Sequence, residues 1–238
     1  MLSRLSLAFR VILLMVAILI LVVFASLVLN RDDETPVITV QTTVLDPAPV
    51  PVNTDGADLL LRDDFSGTQG AWVLSEPDQA MYQSWLMILN DRHYSGFGWA
   101  RPHLQFENFI LDTQARWIGG ALGGSYGVYF GYQDESNFYA FTVSNDGWYR
   151  ISHTHNGVAH VLDEHLNIAV HPAGENNQFR LEVHSQTMRF FVNGTYLVDI
   201  ADADWQRGDI MLVAQKAEET DDYIVAFEDI AVHLYPTP

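Results

Sequence analysis

An uninterrupted apolar run near the N-terminus constrains this chain more than any other feature. The run from Val11 to Leu29 is 19 residues long, contains no charged residue and has Ser26 as its only polar side chain. At about 1.5 Å of rise per residue, a helix of this length spans roughly the hydrocarbon core of a bilayer. A helix in a soluble protein needs only one apolar face. The run therefore predicts a transmembrane helix over residues 11–29, with the lipid bilayer as its partner.

The charges on either side of the run predict its orientation. The leader, residues 1–10, contains Arg4 and Arg10 and no acidic residue, whereas all 30 acidic residues follow the run. The positive-inside rule then places the N-terminus in the cytoplasm. We expect a single-pass protein of the cell membrane with an extracytoplasmic C-terminal domain. The alternative is a cleaved signal peptide, although the apolar region of such a peptide usually has about 7–15 residues.

Composition narrows the classes of partner and cofactor. The formal net charge is −18, and an acidic surface of this kind repels nucleic acid, so no nucleic-acid partner is expected. The chain has no cysteine, which excludes disulfides and cysteine-ligated metals. Acidic residues also suit divalent cations, but their ordinary role is to keep a surface soluble.

The segment after the apolar run reads as a linker. Residues 30–58 contain four prolines (Pro36, Pro47, Pro49 and Pro51) and no aromatic residue. Proline at this density disfavours helices and central strands, and the segment lacks the apolar mass for a core. We predict a semi-extended spacer between the membrane and a domain at residues 59–238.

Residues 59–238 have the pattern of an all-β domain. Short runs rich in aromatic and β-branched residues recur every 8–12 residues and are separated by turn signals such as Asn156-Gly157 and Asn193-Gly194. Asn-Gly favours a type I′ hairpin, because that turn needs positive φ at both central residues. Alternation of Phe179, Leu181 and Val183 with polar residues indicates one buried face per strand. The sequence predicts a two-sheet antiparallel jelly-roll sandwich.

Several short segments, each weak alone, occur in an informative order. They are Leu61–Gly67 followed by Trp72, the hairpin Tyr126–Asp134 with Asn137–Phe141, Asn177–Val183 before Met188–Gly194, Gly208–Leu212, and Val225–Val232. In this order they resemble the concanavalin A-like lectin/glucanase superfamily, and most closely its bacterial laminin-G-like and keto-disaccharide-hydrolase-like modules. The resemblance implies two curved sheets with a concave face that often binds glycans. It does not fix the activity, because this fold hosts enzymes, lectins and spacers.

The residues that would carry catalysis are not evident in the sequence. Glucanases that the chain resembles use a Glu-x-Asp-x-x-Glu run, which places carboxylates on one strand face, and no such run occurs here. Glu228 and Asp229 are adjacent, so in a regular strand they would point to opposite faces. We therefore predict no catalytic residue, while a dyad assembled from distant strands stays an alternative.

The expected domain has no cofactor, and two possible metal sites are the alternatives. His153 and His155 stand two apart, so one strand face could present both imidazoles to zinc, or they simply form a polar strand end. The pairs Asp63-Asp64 and Asp134-Glu135 could contribute oxygens to calcium, although their spacing matches no known loop. We expect no obligatory cofactor, with calcium as the open case.

Sugar sites combine aromatic rings, which stack on sugar faces, with charged groups that fix hydroxyls. Arg116, Tyr129, Arg150 and Glu182 are candidates if their strands are neighbours on one sheet face. Otherwise they are ordinary β-core aromatics and solvated charges. The functional expectation is a membrane-anchored, non-catalytic extracytoplasmic module that binds carbohydrate or cell-surface glycan. The alternatives are a structural or interaction domain whose partner is an envelope protein, and a glycoside hydrolase-like enzyme with an unrecognised site.

Overall fold

A computed structural model describes residues 48–66, 72–75, 80–83, 86–91, 97–120, 122–217 and 222–236. The predicted leader, the predicted transmembrane helix and the first part of the predicted linker lie outside these ranges. Within the ranges, no helix combines the length and the apolar character needed to cross a membrane. Ala48–Pro238 forms one compact unit, so residues 48–58 belong to the same unit as the strands.

Fifteen strands make up the secondary structure of the described ranges, and all of their pairings are antiparallel. They are β1 (Leu59–Asp63), β2 (Val73–Leu74), β3 (Ala80–Gln83), β4 (Leu86–Asp91), β5 (Gly98–Arg101), β6 (Phe109–Gly120), β7 (Ser125–Asp134), β8 (Asn137–Ser144), β9 (Trp148–His155), β10 (Val158–Leu166), β11 (Asn177–His184), β12 (Thr187–Val192), β13 (Thr195–Ala201), β14 (Asp209–Gln215) and β15 (Tyr223–Leu234). The prediction of an all-β antiparallel domain is confirmed.

The strands form two packed sheets. Sheet 1 has the order β13-β12-β11-β6-β15-β4-β3, with β1 also paired to β15, and sheet 2 has the order β10-β9-β8-β7-β14-β5-β2. Aromatic side chains join the two inner faces: the ring of Phe141 on sheet 2 lies 5.4 Å from Phe179 and 5.2 Å from Phe190 on sheet 1. Each of these rings is fully buried, and burial of such large apolar surfaces is the main stabilising contribution.

The predicted hairpins are present where the turn residues placed them. Asn156 and Gly157 have φ of 50° and 78° between β9 and β10, and Asn193 and Gly194 have φ of 48° and 74° between β12 and β13. Both central residues of each turn therefore have positive φ, as the Asn-Gly pairs predict. These turns fix the order β10-β9 at one edge of sheet 2 and β13-β12 at one edge of sheet 1.

A buried polar network around Asn177 connects the start of β11 to β7 and to two loops. Asn177 is fully buried, and its amide donates to the hydroxyl oxygen of Tyr126 across the sandwich at 2.8 Å. Its carbonyl oxygen accepts from the backbone N–H of His171 and from the side-chain amide of Asn193, both at 2.8 Å. Because a buried amide without partners would be costly, these contacts fix how β11 meets its flanking loops.

Candidate functional site

The outer face of sheet 2 offers a continuous floor of small side chains. Register places Val213, Gly127 and Thr142 side by side on β14, β7 and β8. Trp99 on β5 continues this row at one end, and Arg150 on β9 continues it at the other. The row thus has an aromatic side chain at one end, small side chains in the middle and a charged side chain at the other end. This arrangement is expected of a groove that binds a polar ligand.

An aromatic cluster fills the middle of this outer face. The ring of Tyr129 stacks on Phe138 at 4.6 Å with an interplanar angle of 14°, and lies 5.5 Å from Phe97. The guanidinium of Arg101 lies over Trp99 at 5.4 Å and over Tyr132 at 5.1 Å. Outward-facing residues of a two-sheet sandwich are usually wet, so this apolar layer on the outer face is unusual for a simple spacer.

Beside this cluster lies a pocket of about 420 Å³, which we call the Trp148 pocket. Residues of β7, β8, β9, β10 and the end of β14 line it. They include Asp146, Trp148, Arg150, Glu164, Gln215 and Lys216. The volume suits one or two sugar rings and falls in the usual range for small-ligand pockets. Trp148 leaves 42% of its surface exposed at the pocket, which makes its ring available for stacking.

A tight turn positions Trp148. Gly147, with φ of 95°, ends the turn between β8 and β9. The Ser144 hydroxyl accepts a hydrogen bond from the Trp148 N–H at 3.3 Å, and the same hydroxyl donates to Asp146. Asn145 accepts from the Gly123 N–H at 3.1 Å, which ties the turn to the loop before β7. The tryptophan therefore projects from a braced turn rather than from a free loop.

The charges in the pocket are balanced, and two of them form an ion pair. The Arg150 Nε donates to Glu164 Oε1 at 2.7 Å across the β9–β10 pair. The lining carries two acidic residues, Asp146 and Glu164, and two basic ones, Arg150 and Lys216, although the whole chain has a net charge of −18. A locally neutral lining favours a neutral polyhydroxylated ligand over a polyanion or a polycation.

Tyr129 connects the aromatic cluster to the pocket. Its hydroxyl donates to Gln215 Oε1 at 3.4 Å, and Gln215 lines the Trp148 pocket. Burial raises the pKa of Tyr129 to about 12, so the phenol stays protonated and acts as a donor at neutral pH. This contact orients the Gln215 amide toward the pocket, where its remaining hydrogen-bonding groups can meet sugar hydroxyls.

A family model describes most of this chain. The 3-keto-alpha-glucoside-1,2-lyase-like domain matches residues 55–232. The chain belongs to this family. No curated protein matches the chain.

Solved structures show which fold the family domain adopts here. A native glycosidic hydrolase superposes with a TM-score of 0.60 at 15% identity over 80% of this chain and 100% of its own. The Bacillus licheniformis β-glucanase gives 0.59 at 10% identity over 74% of this chain and 98% of its own. The Bacillus subtilis carbohydrate-binding module CBM66 gives 0.52 at 13% identity over 68% and 95%. At these identities the likeness concerns the fold alone, and it confirms the concanavalin A-like sandwich.

The four binding residues predicted from the sequence divide between the two outer faces of the family domain. Tyr129 and Arg150 lie on the outer face of sheet 2, where Arg150 lines the Trp148 pocket and Tyr129 touches Gln215 behind it. Arg116 and Glu182 lie on the outer face of sheet 1, on β6 and β11. The structure therefore brings together the first pair and separates it from the second.

The outer face of sheet 1 carries a charged network. The Arg180 guanidinium binds Asp112 at 2.9 Å and Glu182 at 2.9 Å, so one cation holds two carboxylates. Glu182 is buried and also accepts from the Val52 N–H at 2.7 Å, while the Val52 carbonyl accepts from Arg180. Burial raises the pKa of Asp112, and the Arg180 charge opposes that shift. These contacts hold the start of the domain against sheet 1.

A β-bulge overturns the expectation that Glu228 and Asp229 point to opposite faces. Glu228 is the extra residue where β15 pairs with β6 between Phe227 and Asp229. Glu228 binds Arg116, and Asp229 lies opposite Gln114, so both carboxylates are on the outer face of sheet 1. The buried Asp229 Oδ1 has no hydrogen-bond partner, and burial together with Glu228 raises the pKa of Asp229.

The histidines considered as zinc ligands form a packed cluster. The His153 ring stacks on Tyr139 at 4.0 Å, and its Nδ1 lies 3.4 Å from Asp202 Oδ2. Burial lowers the pKa of His153, with the Asp202 charge opposing that shift. His155 contacts His153 edge-on at 5.7 Å. In the described part of the chain, no group of three or more His, Asp or Glu is placed to hold a metal ion.

The carboxylates that the sequence suggested as calcium ligands accept hydrogen bonds from nearby N–H groups of the chain. Asp63 accepts from the Phe65 N–H at 2.8 Å and from the Trp72 indole at 2.9 Å. Asp134 accepts from the Ser136 N–H at 2.8 Å. These bonds explain the acidic residues by local turn chemistry, and calcium binding stays an untested prediction.

Sequence reasoning missed Trp148, Glu164 and Gln215. A signal for Trp148 was present: it follows the Asp146-Gly147 turn and alternates with the apolar Tyr149 and Ile151, so it had to share the face of Arg150. Glu164 and Gln215 carried no comparable signal, because their places depend on which strands become neighbours.

Proposed function

We propose that this chain is a membrane-anchored, extracytoplasmic module that binds a neutral carbohydrate of the cell surface in the Trp148 pocket without cleaving it. The observation that carries the proposal is the exposed Trp148 ring beside a polar lining of balanced charge. Aromatic stacking supplies affinity for the apolar face of a sugar, and Arg150, Glu164 and Gln215 supply hydrogen bonds to its hydroxyls.

A binding role, rather than cleavage, is supported by how the pocket's two carboxylates are used. Glu164 is engaged by Arg150, and Asp146 accepts from the Ser144 hydroxyl. Glycoside hydrolysis by two carboxylates needs one that is protonated as general acid and another that is free to attack or to activate water. Because both carboxylates are held in local hydrogen bonds, they are better suited to orienting neighbouring side chains and a ligand than to transferring protons.

The anchored, extracytoplasmic part of the proposal rests on the sequence. The apolar run at residues 11–29 and the arginines before it favour a single span with the domain outside. A binding module on a proline-rich tether would hold an extracellular or envelope polysaccharide near the membrane surface.

The test uses the full chain in nanodiscs on an array of neutral and charged glycans, followed by calorimetric titration of each hit. Trp148→Ala should lower affinity for a bound neutral glycan by roughly five- to thirtyfold, since stacking on one aromatic ring contributes roughly 1–2 kcal/mol. Ile118→Ala is the matched control, because Ile118 is 44% exposed but lies outside the pocket. Absence of binding to every glycan, or equal losses in both variants, would overturn the proposal.

A second candidate function is glycosidic-bond cleavage on the outer face of sheet 1. The specific observation is the pair Glu228 and Asp229, which the bulge brings to one face of the sheet. Asp229 is half-buried, its buried Oδ1 has no hydrogen-bond partner, and its pKa is raised. A carboxyl with a raised pKa beside a second carboxyl group is the usual arrangement of a general acid and its partner. Release of reducing ends from a glycan by the wild type, lost in Asp229→Asn, would favour this candidate over binding alone.

A further inference from the structure

A second cavity lies on the outer face of sheet 1, on the opposite side of the sandwich from the Trp148 pocket. Its volume is about 260 Å³, and its lining comes from the β11–β12 hairpin and from the residue that follows β15. We call it the Glu182 cavity. It is smaller than the usual pocket for a drug-sized ligand, so it suits a small molecule rather than an oligosaccharide. The lining residues are Glu182, His184, Ser185, Thr187, Arg189 and Tyr235.

One carboxylate oxygen at this cavity lacks a hydrogen-bond donor. Glu182 is 2% exposed, and its Oε1 accepts from the Val52 N–H at 2.7 Å and from Arg180 Nε at 2.9 Å. These two bonds fix the carboxylate and leave Oε2 on the side of Arg189. Oε2 is buried, and among the described residues none donates a hydrogen bond to it. Because an unsatisfied buried carboxylate oxygen is costly, this site calls for a donor that the described residues do not supply.

The neighbouring cation is also held in one orientation. Arg189 lies opposite Glu182 in the β11–β12 register and opposite Asp199 in the β12–β13 register. Its Nε and Nη2 donate to Asp199 at 2.9 and 3.0 Å. The third nitrogen, Nη1, lies 3.8 Å from Glu182 Oε2, which is too long for a hydrogen bond. A carboxylate and a guanidinium thus meet at the cavity without a direct hydrogen bond between them.

These two groups together define the chemistry of a ligand. Glu182 repels an anion and Arg189 repels a simple cation, so a ligand with only one charge is disfavoured by one of the two. A zwitterion can form a charge-assisted hydrogen bond with each group, and such bonds are about twice as strong as neutral ones. In an α-amino acid the ammonium and the carboxylate are attached to the same carbon, so they can reach two protein groups that lie this close together.

The aromatic side of the cavity differs from that of the Trp148 pocket. The His184 ring stacks on the Tyr235 ring with centroids 4.5 Å apart and an interplanar angle of 12°. Each ring therefore covers one face of the other, whereas Trp148 is 42% exposed and available for a sugar to stack on. The stacked pair still offers apolar surface against which the side chain of a small ligand can pack.

We propose that the Glu182 cavity binds a small α-amino acid, with its ammonium on Glu182 Oε2 and its carboxylate on Arg189 Nη1. The side chain of the ligand packs against His184 and Tyr235. A zwitterion has no net charge, which matches a lining with one carboxylate and one guanidinium. The cavity and the Trp148 pocket lie on different sheets, so binding here does not depend on the proposed glycan binding.

Matched ligands test this recognition on the wild-type protein. The full chain in detergent is titrated calorimetrically with the standard α-amino acids at up to about 10 mM. The one that binds best is compared with its methyl ester, which lacks the carboxylate charge, and with its N-acetyl derivative, which lacks the ammonium. Each derivative should bind at least about tenfold more weakly, because each loses one charge-assisted hydrogen bond. A derivative that binds as tightly as the amino acid, or no binding of any amino acid, would overturn the proposal.

A pair of threonine variants locates the binding. Thr187 and Thr195 are both exposed and each is the first residue of its strand, but only Thr187 lines the cavity. Thr187→Trp should fill the cavity and abolish amino-acid binding, whereas Thr195→Trp and Trp148→Ala should bind as the wild type does. Unchanged binding in Thr187→Trp, or loss of binding in Trp148→Ala, would overturn the proposal. The comparison of ligands needs no variant, so it decides the matter even where Thr187→Trp fails to fold.

Discussion

Arg150 and Glu164 face each other across the β9–β10 pair at the Trp148 pocket, with Nε and Oε1 2.7 Å apart. Both side chains are partly exposed, so the ion pair contributes little to the free energy of unfolding. Its consequence is orientation: the carboxylate fixes the guanidinium in one position, where its remaining N–H groups can reach a ligand.

Glu164→Gln should therefore weaken glycan binding several-fold while leaving the unfolding free energy within about 0.5 kcal/mol of the wild type. Glycan titration and urea unfolding of the full chain in detergent measure the two effects. Arg189→Gln is the control for affinity, because Arg189 makes a cross-strand ion pair with Asp199 on sheet 1, far from the pocket. It is not a control for stability, since Arg189 also lies 3.8 Å from the buried Glu182. A large loss of stability with unchanged affinity would show that the pair is structural.

Asn177→Ala should destabilise the domain by about 2–4 kcal/mol, because it removes hydrogen bonds to the buried Tyr126 hydroxyl and to the half-buried His171 N–H and Asn193 amide. The midpoint of urea unfolding measures this change. Asn53→Ala is the control: Asn53 makes hydrogen bonds with Asp55 in an exposed turn, and its loss should cost less than about 0.5 kcal/mol. Equal effects of the two substitutions would contradict the buried network.

Two glycines with the same φ should respond differently to substitution by alanine. Gly120 and Gly174 both have φ of 88°. A Cβ on Gly120 would collide with the Asp222 carbonyl oxygen, whereas a Cβ on Gly174 would meet nothing within 4 Å. Gly174→Ala should thus cost about 1 kcal/mol from backbone strain, and Gly120→Ala at least about 3 kcal/mol. Comparable melting temperatures for both variants would mean that β6 and β15 do not approach as described.

Asp229→Asn should raise the melting temperature at pH 7. The pKa of Asp229 in the folded domain is above its ordinary value, chiefly because burial disfavours the charged form. The folded state thus holds its proton more tightly than the unfolded state, so this group favours folding below its unfolded pKa and that contribution is lost as pH rises through the folded pKa. The gain from Asp229→Asn should therefore shrink as pH falls from 7 toward about 4.

Calorimetry of both proteins across this pH range measures the trend. Asp55→Asn, in an exposed turn, serves as the control for removal of a surface carboxylate. A gain that grows toward low pH would have the opposite sign from the one expected for a buried carboxyl.

Local pattern predicted much of the fold. The alternation of Phe179, Leu181 and Val183 and the two Asn-Gly turns predicted strands and hairpins that the structure confirms. Each of these signals lies within a few residues along the chain, where backbone sterics and burial decide the outcome.

The pairing of distant strands could not be predicted in the same way. Arg116 and Arg150 both lie on the polar face of a strand, and the sequence does not distinguish them. Because β6 joins sheet 1 and β9 joins sheet 2, the two guanidinium groups lie on opposite outer faces. The bulges at Leu162 and Glu228 had the same effect within a strand, since one extra residue reverses which side chains share a face. The pocket therefore emerged only once the sheets were assembled.

The most direct test of the account compares the two arginines on opposite faces. The full chain in nanodiscs is titrated calorimetrically with the neutral oligosaccharide that binds best on the array, and the wild type is compared with Arg150→Ala and Arg116→Ala. The account predicts at least about a tenfold loss of affinity with Arg150→Ala, the loss of one charged hydrogen-bonding group, and little change with Arg116→Ala. Loss of binding with Arg116→Ala while Arg150→Ala binds normally would contradict it and place the ligand on sheet 1.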